Sequence, residues 1–397
     1  MKGTGNRWLV VVGALVIQVC LGAIYSWSVF VEPLKETFDY TTTQTQIIFS
    51  LALATFAIVM ILAGKWQDKS GPRIVATAGG LVLGFGYLMA NYTSGEFPLL
   101  ALTVGVIGGA GIGLGYVCPI AACVKWFPDK RGMVTGLAVA GFGAGAWIFA
   151  KIASNFIETY DILQAFFYLG LIFLVSVVAG AQLLKNPPEG WKQSKTKSKK
   201  RTVEHFEWRE MIKSKQFWVL WIMFVFGAAA GLMVIGSLKP YGVYSGLSPA
   251  SAANAVGVLA LFNGAGRIVW GTASDKLGRK NAMTLMFLLQ GLMMLALIKM
   301  TSSELLLTVA AAWVGFNFGG NFALFPSTTA DFFGTKNVGV NYGLVFTAYG
   351  VAGIVGPILG GSVYDLTGSY TWAFIPSGVA CLLAAALSLG LRSPHHK

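Results

Sequence analysis

Charge is what this sequence has least of. Asp, Glu, Lys and Arg make up 11% of its 397 residues, against roughly 25% in soluble globular domains, and that excludes a soluble enzyme. Negative charge is the scarcer sign, with 16 acidic residues against 29 basic ones. Cysteine is scarce as well. Cys20, Cys118, Cys123 and Cys381 lie in or at the ends of apolar segments without a metal-ligand spacing, so neither a disulfide framework nor a metal centre is expected. No nucleophile and base stand together in a catalytic pattern, and no cofactor is expected.

What fills the space is apolar. Hydrophobic residues make up 55% of the chain and fall in runs of about 17 to 24, long enough at about 1.5 Å per residue to cross a hydrocarbon layer roughly 30 Å thick. One such run could be a signal peptide, but a dozen cannot. Twelve spans are predicted: Trp8 to Phe30, Gln46 to Gly64, Ile74 to Ala90, Pro98 to Cys118, Met133 to Phe156, Ile162 to Leu183, Gln216 to Leu238, Ala252 to Gly271, Ala282 to Ile298, Leu305 to Phe325, Val340 to Gly360 and Tyr370 to Leu391. Backbone polar groups cannot face lipid unpaired, and these lengths suit helices rather than barrel strands. The expected fold class is therefore an all-α membrane protein of twelve transmembrane helices.

Basic residues set the orientation. With both termini in the cytoplasm, 24 Lys and Arg fall on the inner side and four on the outer, namely Lys35, Lys151, Lys239 and Lys299, with Arg267 left inside a span. The acidic residues divide evenly, so only the bases are skewed, as the positive-inside rule requires. That placement removes the nucleic-acid reading that a net charge of +13 would otherwise invite. The expected location is a bacterial inner membrane. The longest connection, residues 185–215, opens on the Lys-rich run QSKTKSKKR and continues to a short amphipathic stretch around Phe206 to Met211. It reads as a solvated basic linker, and no nucleic-acid or phosphoinositide site is assigned to it. The Asn91-Tyr92-Thr93 sequon sits in a short loop and reads as chance.

The chain repeats itself. GKWQDKSGPR, Gly64 to Arg73, returns as GTASDKLGRK, Gly271 to Lys280, and the offset of 207 residues also links Pro119 with Pro326, Gly136-Leu137 with Gly343-Leu344, and Gly143 with Gly350. A six-helix unit is thus duplicated, predicting bundles at 1–184 and 216–397 joined by the linker. Two parallel repeats suit alternating access, with a ligand held between them. Each repeated loop sets an acid among bases beside a turn glycine. Asp68 and Asp275 can pair with a base (Lys69, Arg73, Lys276, Arg279) or accept N–H bonds from a neighbouring helix terminus, while Gly64 and Gly271 permit close helix approach. Such contacts would serve as a conformational gate. A stable, topology-setting loop is the plainer reading.

At this point the sequence resembles a known family. Both loops match G-x-x-x-D-[KR]-x-G, the signature of the major facilitator superfamily of transporters. GAIYSWSVF (Gly22 to Phe30), VKWFPDKRG (Val124 to Gly132), NGAGRIVWG (Asn263 to Gly271) and NYGLVFTAYG (Asn341 to Gly350) look like the oxalate/formate antiporter branch and the related monocarboxylate transporters. The resemblance implies the major facilitator fold, two pseudo-symmetric six-helix bundles. It also implies a small carboxylate as substrate.

Arg267 carries the most information, because its charge is costly in hydrocarbon and its fork matches a carboxylate. From the residues alone, a snorkelling arginine one turn from the loop is an equal reading. The resemblance implies the functional one, since an eighth-helix arginine contacts the carboxylate in those relatives. Asn263, one turn earlier, shares its face and can donate a hydrogen bond. Tyr25 and Tyr116 can donate hydroxyls, and their segments resemble cavity-lining ones. Where relatives that handle oxalate carry a second cavity base, a lysine, this chain has Tyr349. In some monocarboxylate relatives an aspartate occupies the place corresponding to Asn263, and its absence here argues against copying their proton route. Trp27, Trp147, Phe318, Phe322 and Phe346 are cavity-wall or packing residues, and Lys151 reads as snorkelling to the surface. The expected activity is transport of a monocarboxylate such as lactate, pyruvate or formate, with a co-transported proton and membrane lipids as expected partners and no nucleic acid, by a monomer. Oxalate/formate or other organic-anion exchange and a non-transporting sensor are the alternatives.

Overall fold

The computed structural model describes residues 7–188, 205–300, 303–367, 369 and 371–394. Among the described residues 86% are helical and no strand occurs. Twelve helices among these residues are long and apolar enough to cross a membrane: Trp8–Ser26, Ile47–Ser70, Pro72–Ala90, Phe97–Trp126, Arg131–Thr159, Ile162–Gln182, Lys215–Ile235, Asn254–Leu277, Arg279–Leu297, Glu304–Phe333, Val338–Gly356 and Trp372–Leu389. This is the twelve-span, all-α class that the hydropathy predicts. Local sequence starts many of the helices. Thr41 and Gln44 form a capping box, and Asp161, Ser214, Ser248 and Ser303 each accept an N–H from the first turn of the helix that follows, satisfying donors that the helix itself cannot.

Helix ends depart from the hydropathy in a consistent way. The segment Gly64–Ser70, expected as loop, is the last two turns of the helix Thr42–Ser70, and the chain reverses at Gly71 alone, with φ +83°. Its repeat behaves identically, as Pro249–Leu277 ends at Gly278, φ +83°. Hydropathy detects where the apolar layer ends, but backbone hydrogen bonding carries a helix on into polar surroundings until a residue leaves helical φ/ψ. The fourth and tenth spans outrun their apolar runs in the same manner, reaching Trp126 and Phe333. The first span is not one continuous α-helix. It passes at Gly22–Ser26 into a 3₁₀ turn that contains Tyr25. The fourth contains a π-helical stretch, Ala101–Gly108.

The chain forms two compact units. The first comprises residues 1–128, 141–198 and 335–343, and the second 129–140, 199–334 and 344–397. The fifth and eleventh spans each contribute to both. Within the first unit, glycines set the helix spacing. A Cβ on Gly109 would lie 2.5 Å from the Ala52 carbonyl oxygen, one on Gly113 2.8 Å from that of Phe56, and one on Gly141 2.9 Å from that of Leu15. Lipid supplies no hydrophobic drive for helix association, so close backbone approach of this kind holds a bundle together. In the second unit, Met233, Leu238, Leu259, Met294, Val314 and Phe374 belong to one continuous core. The run QSKTKSKKR lies outside the described residues. The stretch around Phe206 to Met211 contains a helical turn, Trp208–Met211, and docks through the Phe206 N–H to the Phe333 carbonyl at 3.0 Å, with Phe206 and Met211 buried. In the sequon, Thr93 is buried and donates to the Ala90 carbonyl.

Candidate functional site

The two repeated acids do what either of their sequence readings allows. In the first unit Asp68 accepts the Gly339 and Val340 N–H groups at 3.2 and 3.0 Å, and Lys125 lies 3.6 Å away. In the second, Asp275 accepts the Gly132 and Met133 N–H groups at 2.9 and 2.8 Å and pairs with Arg279 at 2.8 Å. The acceptor and donor positions are related by the same offset of 207 residues, with the roles of the repeats exchanged. Gly64 and Gly271 follow the rule too, since a Cβ on either would clash with the carbonyl of Gly339 or Gly132. Each carboxylate thus receives two first-turn N–H groups of the helix beginning at Val338 or Arg131, a charge-assisted arrangement favoured by the positive end of the helix dipole.

The surrounding bases differ from those the sequence pattern singles out. Lys69, Arg73 and Lys276 are exposed. Lys125 takes the pairing role in the first unit. In the second, Asp331 pairs with Arg131 and, at 2.7 Å, with Arg279, which also donates to Ser274. Asp331, Arg131 and Lys125 are the residues that the repeated loop does not announce. Lys125 and Arg131 lie in the run VKWFPDKRG, whereas Asp331 has no local signal beyond polarity at the edge of the tenth span.

Arg267 is fully buried at 0% exposure, in the middle of the helix Pro249–Leu277. Its Nε donates to Asn263 Oδ1 at 3.1 Å and its Nη1 to the Val139 carbonyl at 2.7 Å, while its guanidinium carbon lies 4.4 Å from the centre of the Phe322 ring. All three partners are neutral. Around Phe322 stand Phe318 at 5.2 Å, Tyr349 at 5.4 Å and Phe346 at 6.4 Å, centroid to centroid. Five of the expected second-half residues, Asn263, Phe318, Phe322, Phe346 and Tyr349, therefore share one environment with Arg267. Asn263 acts on the arginine as an acceptor, not a donor, through its side-chain oxygen. Glycine makes room here as well. A Cβ on Gly136 or Gly319 would clash with the carbonyl of Arg267 or Asn263.

In the first unit Tyr25 and Tyr116 meet on one ring, Phe142, at 5.1 and 5.4 Å, and Tyr116 also packs on Phe56 at 5.1 Å. Trp27 belongs elsewhere. It is buried against Phe30 and Phe166 and donates its indole N–H to the Thr45 carbonyl at 3.0 Å.

The repeat offset turns this description into a contrast. Arg267 stands where the first half has Met60, Asn263 where it has Phe56, and Tyr349 where it has Phe142. The backbone scaffold obeys the duplication closely enough that Gly343 packs on Met60 and Ile61 as Gly136 packs on Arg267 and Ile268. Only the side chains depart. A polar triad has replaced an apolar one in the second half, at the one level of the bundle where a buried charge occurs among the described spans. Packing requirements are met equally well by the Met60 version, so they do not explain why a guanidinium is held at the other position.

Comparison with known proteins gives a consistent assignment. The model of the Major Facilitator Superfamily matches residues 12–355 and 229–397. The oxalate:formate antiporter of Oxalobacter formigenes is 32% identical over 97% of this chain and 91% of its own. Monocarboxylate transporter 12 of Rattus norvegicus is 27% identical over 96% of this chain and 85% of its own. The crystal structure of the Escherichia coli fucose:proton symporter FucP superposes with a TM-score of 0.73 at 14% identity, covering 98% of this chain and 99% of that one, a likeness of fold alone.

Proposed function

The chain belongs to the major facilitator superfamily and is a multi-pass membrane transporter, not an enzyme, and on that premise we propose that it carries small monocarboxylates such as lactate, pyruvate or formate by alternating access. Arg267 binds the carboxylate. The observation that carries this reading is the guanidinium buried in the middle of a span, beside the Asn263 side-chain oxygen, the Val139 carbonyl and the Phe322 ring. A carboxylate offers this planar fork charge-assisted bonds, stronger than those that an amide oxygen and a main-chain carbonyl can make. Phe322, Phe318, Phe346 and Tyr349 supply an apolar wall suited to a short carbon chain. Tyr25 and Tyr116 are the first unit's candidates for further hydrogen bonds. The six-helix repeats at 1–184 and 216–397 move against each other, and the caps at Asp68 and Asp275 hold one state. Both termini lie in the cytoplasm of a bacterial cell, placing these caps on the inner side.

A monoanion entering against a negative interior costs about 2.3 kcal/mol per 100 mV, and an accompanying proton would cancel that transfer. Uptake is therefore assigned to proton symport. Exchange of oxalate for formate is the second reading, favoured by the named antiporter relative and opposed by Tyr349, which leaves a dianion with one cation instead of two. Counterflow in liposomes with labelled lactate, pyruvate, formate and oxalate decides between them. Saturable counterflow of a monocarboxylate is expected, and oxalate binding far above every monoanion would select exchange. Binding without flux would make the protein a sensor, and the absence of both would sink the reading.

A further inference from the structure

The first unit has two concavities along its third span, and neither belongs to the Arg267 site. One, of about 450 Å³, is wholly apolar and lined by Leu81, Val82, Phe85, Leu88, Ile107 and Leu174. Glycines on both flanks of the helix Pro72–Ala90 create it. A Cβ on Gly84 would lie 2.6 Å from the Leu174 Cβ, and one on Gly86 2.6 Å from the Thr103 carbonyl oxygen. The third span therefore sinks between its neighbours, leaving Leu174 of the sixth span and Ile107 of the fourth as rims. Leu81, Phe85 and Leu88 share one helical face by their spacing of four and three, and Tyr92 continues that face just past the helix end, its N–H still bonded to the Met89 carbonyl at 3.0 Å. Leu81, Phe85 and Tyr92 are 50%, 52% and 69% exposed.

The second concavity, of about 440 Å³, opens where that face ends, among Asn91, Tyr92, Asp161, Gln164, Phe167 and Tyr168. Its lining is rings, amides and one carboxylate. Asp161 caps the sixth span, and each of its oxygens accepts one hydrogen bond at 2.8 Å from Gln164; a carboxylate has room for about four. The first-turn residues Ile162 and Leu163 line the same cavity, and their N–H groups are ones that an α-helix cannot satisfy internally. A cation is thus accommodated by Asp161 and the Tyr92 and Tyr168 rings, and an anionic oxygen by the helix start. The surrounding charge favours the cation. Segments 35–41, 91–96 and 157–161 carry Glu36, Asp39, Glu96, Glu158 and Asp161 against one base, Lys35, in a chain whose net charge is +13.

We propose that this face of the first unit holds one phospholipid with an ammonium headgroup, an acyl chain lying in the apolar groove and the headgroup in the pocket at Asp161. The lengths agree. Leu81 to Tyr92 is eleven residues, about 16 Å along a helix axis, and one leaflet is half of a hydrocarbon layer roughly 30 Å thick. The chemistry agrees as well, since a zwitterion brings an ammonium for the carboxylate and rings and a phosphate for the helix start, whereas a net anion meets five acids. Tyr92 and Tyr168 have the amphipathic rings that favour the headgroup level. An ordinary lipid-facing surface offers contacts to the chain alone. Here a groove and a headgroup pocket lie end to end on the same two spans.

The purified chain, delipidated in detergent, is titrated with dioleoyl phosphatidylethanolamine and with dioleoyl phosphatidylglycerol, and bound lipid is counted by native mass spectrometry. One phosphatidylethanolamine should bind about three- to tenfold more tightly than phosphatidylglycerol. Asp161→Asn keeps the helix cap, because asparagine caps as well as aspartate, and should erase that preference. Tyr92→Leu, at an exposed position where folding is not at risk, should reduce it. Leu81→Trp narrows the groove and should weaken phosphatidylethanolamine binding although the pocket is untouched; unchanged binding would overturn the placement of the chain. Phosphoethanolamine, the headgroup without chains, should displace the lipid only in large excess. Displacement at equal concentration would make this a site for a soluble amine and overturn the lipid assignment. Equal binding of the two lipids by the wild type, or a preference indifferent to both Asp161→Asn and Tyr92→Leu, would overturn the proposal outright. None of these readouts needs flux, so the site and the transport reading stand or fall separately.

Discussion

Replacing Arg267 with lysine tests the site by keeping the charge and removing the fork. The guanidinium uses two different nitrogens to reach Asn263 Oδ1 at 3.1 Å and the Val139 carbonyl at 2.7 Å, acceptors supplied by different helices. One ammonium on a shorter planar reach cannot present two parallel donors to a carboxylate. Loss of one charge-assisted hydrogen bond is worth about 1.5–3 kcal/mol, which at ~1.4 kcal/mol per decade is a weakening of carboxylate binding by roughly 10- to 150-fold. Arg267→Gln removes the charge too and should bind more weakly still. Both variants leave a buried acceptor short of a partner, costing about 1–3 kcal/mol of stability, so the comparison needs thermal unfolding of the unliganded proteins alongside binding. The assay is direct titration of purified protein with lactate and pyruvate, followed by counterflow at matched amount and orientation. A lysine variant that folds and binds within threefold of wild type would refute the fork and make Arg267 a packing residue.

Other consequences follow from the same geometry. Tyr349→Lys supplies the second cation that a dianion needs, and competitive displacement should show the oxalate-to-lactate affinity ratio rising by about tenfold or more, a gain of ~1.4 kcal/mol; an unchanged ratio would remove Tyr349 from the specificity argument. Asp275→Asn replaces a carboxylate that accepts two helix-terminal N–H groups and pairs with Arg279, and should cost about 1–3 kcal/mol of stability, read as a lowered midpoint in thermal unfolding. Asp68→Asn should be milder, because its basic partner Lys125 stands at 3.6 Å; equal losses at the two positions would contradict the asymmetry described. Gly136→Ala places a methyl against the Arg267 carbonyl and should cost ~1–3 kcal/mol through overpacking, with weakened binding even though residue 136 does not touch the ligand. An alanine variant with wild-type stability and affinity would show that these helices are not held at the observed distance.

The sequence alone determined the membrane class, the number of spans, the duplication and the presence of a charge inside the eighth span, because each is written in local composition or in periodicity along the chain. It also marked Asp68 and Asp275 as special by repeating them. Tertiary structure decided with whom they bond. The Gly339 and Val340 N–H groups lie 271 and 272 residues from Asp68, and no local pattern encodes which distant helix start will meet a carboxylate. It decided that the reversal is a single glycine, since an α-helix ends where its backbone leaves helical φ/ψ and not where hydropathy falls. It gave Trp27 the rings of Phe30 and Phe166 and Tyr25 the ring of Phe142 as neighbours, partners that no local pattern names. It also chose the arginine's acceptor, the Val139 carbonyl, which as a main-chain group has no sequence signature at all. Side-chain chemistry can be read along a chain, but the geometry that surrounds a buried guanidinium comes from contacts that only folding brings together.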